Sequence, residues 1–214
     1  MLSRLWHWLI RTFFRLLYGP LALTYDAVAW LVSFGEWKAW GRTAIAYLSN
    51  APVLELGHGP GHLQLTLAQI GMASVGLDLS PQMGRVAQRR LTKGGFRPRL
   101  VRASAQALPF ADGAFPQIVA TFPTEYIIHP HTLAEINRVL PVNGKIVVVA
   151  TAIITEKSLT AHFLEWLYRI TGQRTPEVTK ALQAWVHTGL KLELETVSTP
   201  RALVQVIIGQ PEPK

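Results

Sequence analysis

The chain has 214 residues, 49% of them hydrophobic, and a formal net charge of +8. This length and composition allow one well-buried core but not two ordinary domains with separate cores. The absence of cysteine excludes disulfide frameworks, thiolate metal sites and cysteine nucleophiles, and the seven histidines show no HExxH-type spacing, so no metal site is expected.

The first predicted element is an amphipathic helix over residues 2–18. On a helical projection Arg4, His7, Arg11 and Arg15 form one stripe, with bulky apolar side chains opposite. This pattern is typical of a helix that lies in a membrane interface, and packing on the domain or on a second subunit is the alternative. Because arginines interrupt the stretch, a spanning helix is not expected. We therefore expect a cytoplasmic protein, with peripheral contact to the inner membrane face as one alternative and the oligomeric state left open.

The rest of the chain alternates between strand-like and helix-like segments. We divide the protein into a helical extension over 1–48, an α/β domain over 49–210 and a tail over 211–214. A helix is expected over 36–48, and the alternation that follows predicts a parallel sheet flanked by helices. Within the domain the predicted strands are 52–56, 73–78, 99–102, 117–121, 145–150, 190–197 and 202–208, and the predicted helices are 62–70, 81–93, 131–140 and one or two within 158–188.

The sharpest motif follows the first predicted strand, where Gly57, Gly59 and Gly61 occupy alternate positions before a helix. Such a turn lets the backbone approach a ligand closely and presents free amides to it. Asp78, at the end of the next strand, can accept hydrogen bonds from both ribose hydroxyls of an adenosine. A nicotinamide-dependent oxidoreductase is the alternative. It is disfavoured by the GxGxG spacing and by Glu55, whose charge suits a sulfonium better than a pyrophosphate.

Five segments in the same order resemble the class I S-adenosylmethionine-dependent methyltransferases. They are VLELGHGPG from Val53, GLDLS from Gly76, AQALPFADGAF from Ala105, LAEINRVL from Leu133 and the Asn143-Gly144 pair. The resemblance implies a doubly wound, mostly parallel seven-stranded sheet of order 3-2-1-4-5-7-6, with the last strand antiparallel and helices on both faces. It also implies S-adenosylmethionine as cofactor and S-adenosylhomocysteine as product.

A second resemblance lies upstream, where Tyr25-Asp26, Ser33, Gly35 and Trp40 follow the spacing of the ubiquinone and menaquinone C-methyltransferases of the methyltransferase type 11 group. It implies that this segment closes over the cofactor, with Tyr25 near the methyl donor. Plain core packing of Tyr25 and Trp40 is the alternative.

Together the resemblances imply a cofactor pocket. It is formed by the upstream segment, the glycine turn, the loop before the fourth strand, and the ends of the second and fourth strands. Its expected members are Tyr25, Glu55, Gly57, His58, Gly59, Gly61, Asp78, Leu79, Ala105, Gln106 and Thr121. Residues just past strand four face the transferred methyl in this family, so Glu125 and His129, together with Tyr25, are the candidate catalytic residues. Solvent-facing loop and helix-cap roles are the alternatives for Glu125 and His129.

The expected acceptor is a small lipophilic or membrane-borne molecule: a quinone, an isoprenoid phenol or a phospholipid head group. A basic stretch over 85–102, free of acidic residues, is either a solvated helix face or a surface for an anionic partner. A nucleic-acid methyltransferase using this stretch is one alternative. It is disfavoured because strand four ends in TFPT and lacks the Asp/Asn-Pro-Pro-aromatic tetrad of enzymes that methylate exocyclic base amines. A non-catalytic S-adenosylmethionine-binding protein is another.

Overall fold

The computed structural model describes residues 35–155, 185 and 189–211. The predicted amphipathic helix over 2–18, Tyr25 and the end of the tail over 212–214 lie outside these residues. So do the predicted helices over 158–188, apart from Trp185. These predictions stay predictions.

The described elements alternate between helix and strand in the predicted order. The helices are α1 (Trp37–Arg42), α2 (His62–Gln69), α3 (Pro81–Lys93) and α4 (Pro130–Val139), with 3-10 helices at Thr43–Tyr47 and Glu125–Ile128. The strands are β1 (Val53–Leu56), β2 (Ser74–Asp78), β3 (Leu100–Arg102), β4 (Gln117–Thr121), β5 (Lys145–Ile154), β6 (Leu190–Ser198) and β7 (Ala202–Pro211).

The seven strands form one sheet in the order β3-β2-β1-β4-β5-β7-β6. The first five pair in parallel, and β7 runs antiparallel to both β5 and β6. This confirms the predicted order and the antiparallel last strand. Because β1 and β4 lie side by side at the point where the strand order reverses, their carboxyl ends border the crevice in which open α/β sheets bind ligands.

Both faces of the sheet are covered by apolar helices. On one face Leu133 and Ile136 of α4 pack against Leu54 and Ile118. On the other, Leu63 of α2 belongs to a cluster with Trp40 of α1, Val53 and Val119. Every residue of β1 is buried. A strand buried on both faces reads as a continuous apolar run, which is why β1 and β4 could be located from sequence.

Local sequence signals determine where α3 begins, next to the carboxyl end of β2. The Ser80 hydroxyl accepts a hydrogen bond from the Met83 amide, and proline occupies the first helical turn. Met83, Ala87 and Leu91 recur every four residues and are buried. The helix therefore starts at Pro81, three residues after Asp78, the last residue of β2.

The structure differs from the predicted elements mainly at their ends. The helix expected over 36–48 is α-helical only to Arg42 and continues as a 3-10 turn. Strand β5 runs to Ile154 because it pairs with β7 along its whole length. The same ladder carries β7 to Pro211, which pairs with Leu190, so the first residue of the predicted tail belongs to a strand. Among the described helices, none is long and apolar enough to cross a membrane.

Candidate functional site

The glycine turn after β1 is held against β2 by backbone hydrogen bonds. The amides of Gly57 and His58 both donate to the carbonyl of Leu77, at 2.7 and 3.1 Å. Gly57, Gly59 and Gly61 have φ values of 71°, 51° and 79°. Residues with side chains rarely adopt this left-handed conformation, so the chain needs glycine at these three positions to make the turn.

The three glycines face different surroundings. A Cβ on Gly61 would lie 2.7 Å from the Cβ of Ala87, so this glycine allows α2 and α3 to approach. A Cβ on Gly57 would lie 2.5 Å from the hydroxyl of Tyr126. A Cβ on Gly59 would meet no atom of the described chain within 4 Å. The middle of the turn is thus open, whereas both ends are packed.

Asp78 fixes the turn and also faces the open space beside it. One carboxylate oxygen accepts the Gly59 amide and the other accepts the Ser80 amide, each at 2.8 Å. Asp78 is partly exposed, and the next residue, Leu79, is 65% exposed. Because each carboxylate oxygen has two lone pairs, Asp78 keeps acceptor capacity for a ligand hydroxyl.

Glu55 lies beneath the turn and is 1% exposed. Its carboxyl accepts a hydrogen bond of 2.8 Å from the Gln64 amide, and the Gln64 carbonyl oxygen accepts from the Ser74 hydroxyl at 3.0 Å. Burial raises the pKa of Glu55 to about 8, with a smaller contribution from the charge of Asp78, against the lowering effect of Gln64. At neutral pH Glu55 is therefore mostly protonated and uncharged.

His58 is a second buried polar group at the turn, only 4% exposed. Its Nδ1 lies 2.7 Å from the carbonyl oxygen of Gly59. Since a carbonyl oxygen only accepts, Nδ1 carries the proton in this contact. Burial lowers the pKa of His58 despite the opposing charge of Asp78, so the ring is neutral and buttresses the turn.

The loop between β3 and β4 brings Ala105 and Gln106 to the same edge of the sheet. Ala105 is buried, and Gln106 is exposed with its amide bonded to the Ser104 hydroxyl at 3.1 Å. Arg138 of α4 fastens the far part of this loop, donating to the carbonyls of Leu108 and Phe110 and to the carboxylates of Glu135 and Asp112. The segment that begins at Ala105 thus owes its shape to one arginine.

The end of β4 and the residues after it close the site from the other side. Thr121 lies against Gly41 of α1. Phe122 is the only non-glycine residue with positive φ (48°) among those described, and its ring stacks on Trp37 with centroids 4.0 Å apart. Such conformations concentrate at ligand sites, where surrounding packing holds them in place. Tyr126 donates to the Leu56 carbonyl at 3.0 Å.

Two of the candidate catalytic residues, Glu125 and His129, lie in the described part of the chain, at either end of the 3-10 helix after β4. Glu125 is exposed at the start of its 3-10 helix. His129 is the N-cap of α4, where Nδ1 accepts the His131 amide at 3.3 Å, and the two histidine rings stack with centroids 5.4 Å apart. Trp40 is 2% exposed in the core, and its indole N–H has no hydrogen-bond partner in the described part of the chain.

The comparisons with known proteins agree with this geometry. The sequence model of the family described as "Methyltransferase domain" matches residues 53–144, the span from β1 to the turn before β5. The matched span contains 92 of the 214 residues of the chain. The glycine turn, Asp78 and the loop before β4 all lie within this span.

Named relatives share the same region. Demethylmenaquinone methyltransferase of Thermus thermophilus is 35% identical over 139 residues, covering 62% of this chain and 63% of that protein. The ubiquinone/menaquinone biosynthesis C-methyltransferase of Geotalea uraniireducens is 29% identical over 142 residues, covering 62% of this chain and 60% of the relative. The chain thus spans less than two thirds of the length of these relatives.

A solved structure, an S-adenosyl-L-methionine-dependent methyltransferase of Methanococcus maripaludis, matches 92% of this chain and is covered over 95% of its own length. The TM-score is 0.66 at 16% sequence identity. At that identity the likeness concerns the fold alone, and it covers β6 and β7 as well as the span 53–144.

Two residues of the site are absent from the sequence-based predictions. Tyr126 is a polar residue after β4, next to the predicted Glu125, and it contacts the glycine turn. Phe122 showed no signal, because only the backbone geometry marks it. The hydrogen-bond partner of Glu55 was not predicted either. This partner, Gln64, is the third residue of α2, and its side chain reaches back to β1.

Proposed function

We propose that the protein transfers a methyl group from S-adenosylmethionine to a small lipophilic acceptor of the quinone type. The observation that carries the cofactor assignment is the open middle of the glycine turn. A Cβ added at Gly59 would meet no described atom within 4 Å, the Gly59 amide is bonded to Asp78, and Asp78 keeps acceptor capacity for a ligand hydroxyl. A nucleoside with two free hydroxyls fits this arrangement.

The residues present fit the cofactor without rearrangement of the turn. Asp78 would hold the ribose hydroxyls, with Leu79, Ala105 and Gln106 beside the adenine, while Gly57 and Gly59 allow close approach of the chain. Glu55, His58 and Gly61 would support the turn from beneath, and Tyr25 and Thr121 would border the donor end. When bound, the cofactor supplies an activated methyl group, and the protein supplies position and exclusion of water.

Glu125 is the stronger of the two candidates for moving an acceptor proton after β4. His129 is engaged as the N-cap of α4, where its Nδ1 accepts the His131 amide at 3.3 Å. The Glu125 carboxylate is exposed at the same edge. Such a base is needed only if the acceptor is protonated at neutral pH.

The quinone-type acceptor is supported by two facts of different kinds. The relatives described above are named as methyltransferases of demethylmenaquinone or of ubiquinone and menaquinone biosynthesis. The side chains of Trp37 and Phe122 also form a tilted pair of aromatic rings beside the end of β4. Aromatic side chains favour flat apolar ligands, since offset or tilted ring pairs are stabilising beyond the area that they bury.

The test uses a matched pair of glycine substitutions. Gly59→Ala places a Cβ in the open middle of the turn. Gly71→Ala places one in equally open space in the connection between α2 and β2. Both glycines have positive φ, 51° and 75°, so both variants bear a similar backbone cost. We expect S-adenosylhomocysteine affinity, measured by calorimetric titration, to fall about tenfold or more in Gly59→Ala only.

The acceptor is tested with labelled methyl donor and a membrane quinone extract. Label should enter the lipid fraction with the wild type and be lost with Gly59→Ala. Binding of NAD in place of S-adenosylhomocysteine, or equal cofactor affinity in both variants, would overturn the cofactor assignment. Cofactor binding without any labelled lipid would overturn the acceptor class alone.

A further inference from the structure

A basic surface lies along α3 and the β3 edge of the sheet, and it reaches the methyltransferase site at Arg102, whose Nε donates to the Leu79 carbonyl at 3.3 Å. We define it as Arg85, Arg89 and Lys93 on α3 together with Arg97, Arg99 and Arg102 on and before β3. The three α3 residues recur every four positions, so they share one side of the helix, and all six are exposed. Met83, Ala87 and Leu91 form the buried side of the same helix.

The charges of the basic surface are not neutralised within the described structure. The segment between Asp78 and Asp112 contains no acidic residue. Within the ranges 35–155 and 189–211, the ion pairs are those of Arg138 with Asp112 and Glu135, and none involves a residue of the basic surface. Like charges held together without counter-charges cost free energy, which an external anionic partner would recover.

The opposite edge of the sheet has the other sign. Strand β3 is one edge strand and β6 the other. Exposed Glu193 and Glu195 lie on β6, with Lys191 as the only basic residue of that strand. The described domain is therefore polarised along the sheet, from a basic β3 edge to an acidic β6 edge, and an extended anionic surface would orient it.

A cleft of about 300 Å³ opens at one end of the basic surface. Met72, Leu91 and Phe96 give it an apolar wall, and Arg97 and Arg99 flank it. An apolar cleft beside two guanidinium groups combines the two chemistries of a phospholipid, whose acyl chains are apolar and whose phosphate is anionic.

We propose that the basic surface docks the protein on membranes that contain anionic phospholipid. Single-stranded nucleic acid is the competing anionic partner, but its successive bases stack on several aromatic side chains, and Phe96 is the only aromatic residue between Asp78 and Arg102. The choice of lipid rests in part on the proposed function, because a membrane-borne acceptor requires an enzyme that resides at the membrane.

Co-sedimentation with vesicles tests the docking surface on the full chain. Vesicles of phosphatidylcholine alone are compared with vesicles of equal parts phosphatidylcholine and phosphatidylglycerol. The variant R85E/R89E reverses two charges of the basic surface, and K38E/K191E reverses two exposed charges elsewhere with the same change in net charge. The two variants therefore separate a local surface from overall charge.

We expect binding of the wild type and of K38E/K191E to the anionic vesicles only, weakened by salt. R85E/R89E should partition roughly 25-fold less or weaker still, since each basic residue near an anionic surface contributes about fivefold. Equal loss in both variants, no loss in either, or no wild-type binding would overturn the proposal. So would displacement of the wild type from vesicles by single-stranded RNA at lower concentration than by anionic lipid.

Titration with S-adenosylhomocysteine on the same proteins keeps the two proposals apart. R85E/R89E should bind it with wild-type affinity, because neither arginine belongs to the cofactor site. Normal cofactor binding without vesicle binding would sink the docking surface and leave the proposed function standing. Vesicle binding that follows the charge pattern, without cofactor binding, would do the reverse.

Discussion

Replacing Glu55 by glutamine should stabilise the protein at neutral and alkaline pH. The folded carboxyl has a pKa of about 8, against an ordinary value of 4.5. Between these values the unfolded chain loses the proton and the folded chain keeps it, so the stability that the protonated carboxyl contributes is lost as pH rises. The shift corresponds to roughly 5 kcal/mol above pH 8 and roughly 3 kcal/mol at pH 7.

The measurement is urea unfolding of the wild type and Glu55→Gln at pH values below 4.5, near 7 and above 8. Glutamine keeps the size of the side chain and can still accept the Gln64 hydrogen bond, but it cannot ionise. The two proteins should have similar free energies of unfolding in acid and diverge as pH rises. A constant difference at all three pH values would refute the assignment of a raised pKa.

Glu135→Gln is a control of opposite sign. Hydrogen bonds from Arg138 are the main cause that lowers the pKa of Glu135, so its contribution is present above pH 4.5 and lost as pH falls through the folded pKa. This variant should be less stable than the wild type at neutral pH and equal to it in acid. Cofactor affinity is a separate test of the Glu55 charge. If the ionised Glu55 carboxylate contacts the donor, the affinity for S-adenosylmethionine rises as the pH passes 8 in the wild type and not in Glu55→Gln.

Three further substitutions follow from contacts of the site. Gly61→Ala places a Cβ 2.7 Å from the Cβ of Ala87 at a positive φ, so it should lower the free energy of unfolding by roughly 2–4 kcal/mol. The measurement is a urea titration, and an unchanged free energy of unfolding would contradict the close approach of α2 and α3. Tyr126→Phe removes the bond to the Leu56 carbonyl and should cost about 1 kcal/mol by the same measurement, with a neutral result showing that water replaces the hydroxyl. Arg138→Ala should expose the loop before β4 to limited proteolysis, and unchanged cleavage would mean that the loop holds its shape unaided.

The sheet could be predicted because its signals are local. Strand β4 was located to the residue, since Gln117–Thr121 is a short apolar run between turn residues and is almost wholly buried. The strand ends that depend on partners far along the chain could not be predicted. Strand β5 continues to Ile154 because it pairs with β7, and β7 continues to Pro211 because it pairs with β6. Helix α4 begins at Pro130, where the His129 side chain caps it, and periodicity alone placed its start one residue later.

The candidate site divides in the same way. The glycines of the turn could be predicted because a left-handed backbone leaves a local mark, which is glycine itself. The state of Glu55 could not, because its charge depends on complete burial and on Gln64, a residue of another element. A carboxyl two residues before a glycine turn looks like a ligand group in sequence, whereas the fold places it on the face of β1 that α2 covers.

Tyr126 joins the two halves of the site that sequence reasoning treated separately. Its hydroxyl bonds the last carbonyl of β1 from 70 residues away and contacts the position where Gly57 turns. The loop after β4, which would face the acceptor, is therefore tied to the turn that would hold the cofactor. A change in that loop shifts the glycine turn directly, since no flexible segment lies between them. Cofactor affinity and acceptor preference should consequently change together when Tyr126 is altered, and independently when the exposed neighbour Glu125 is altered.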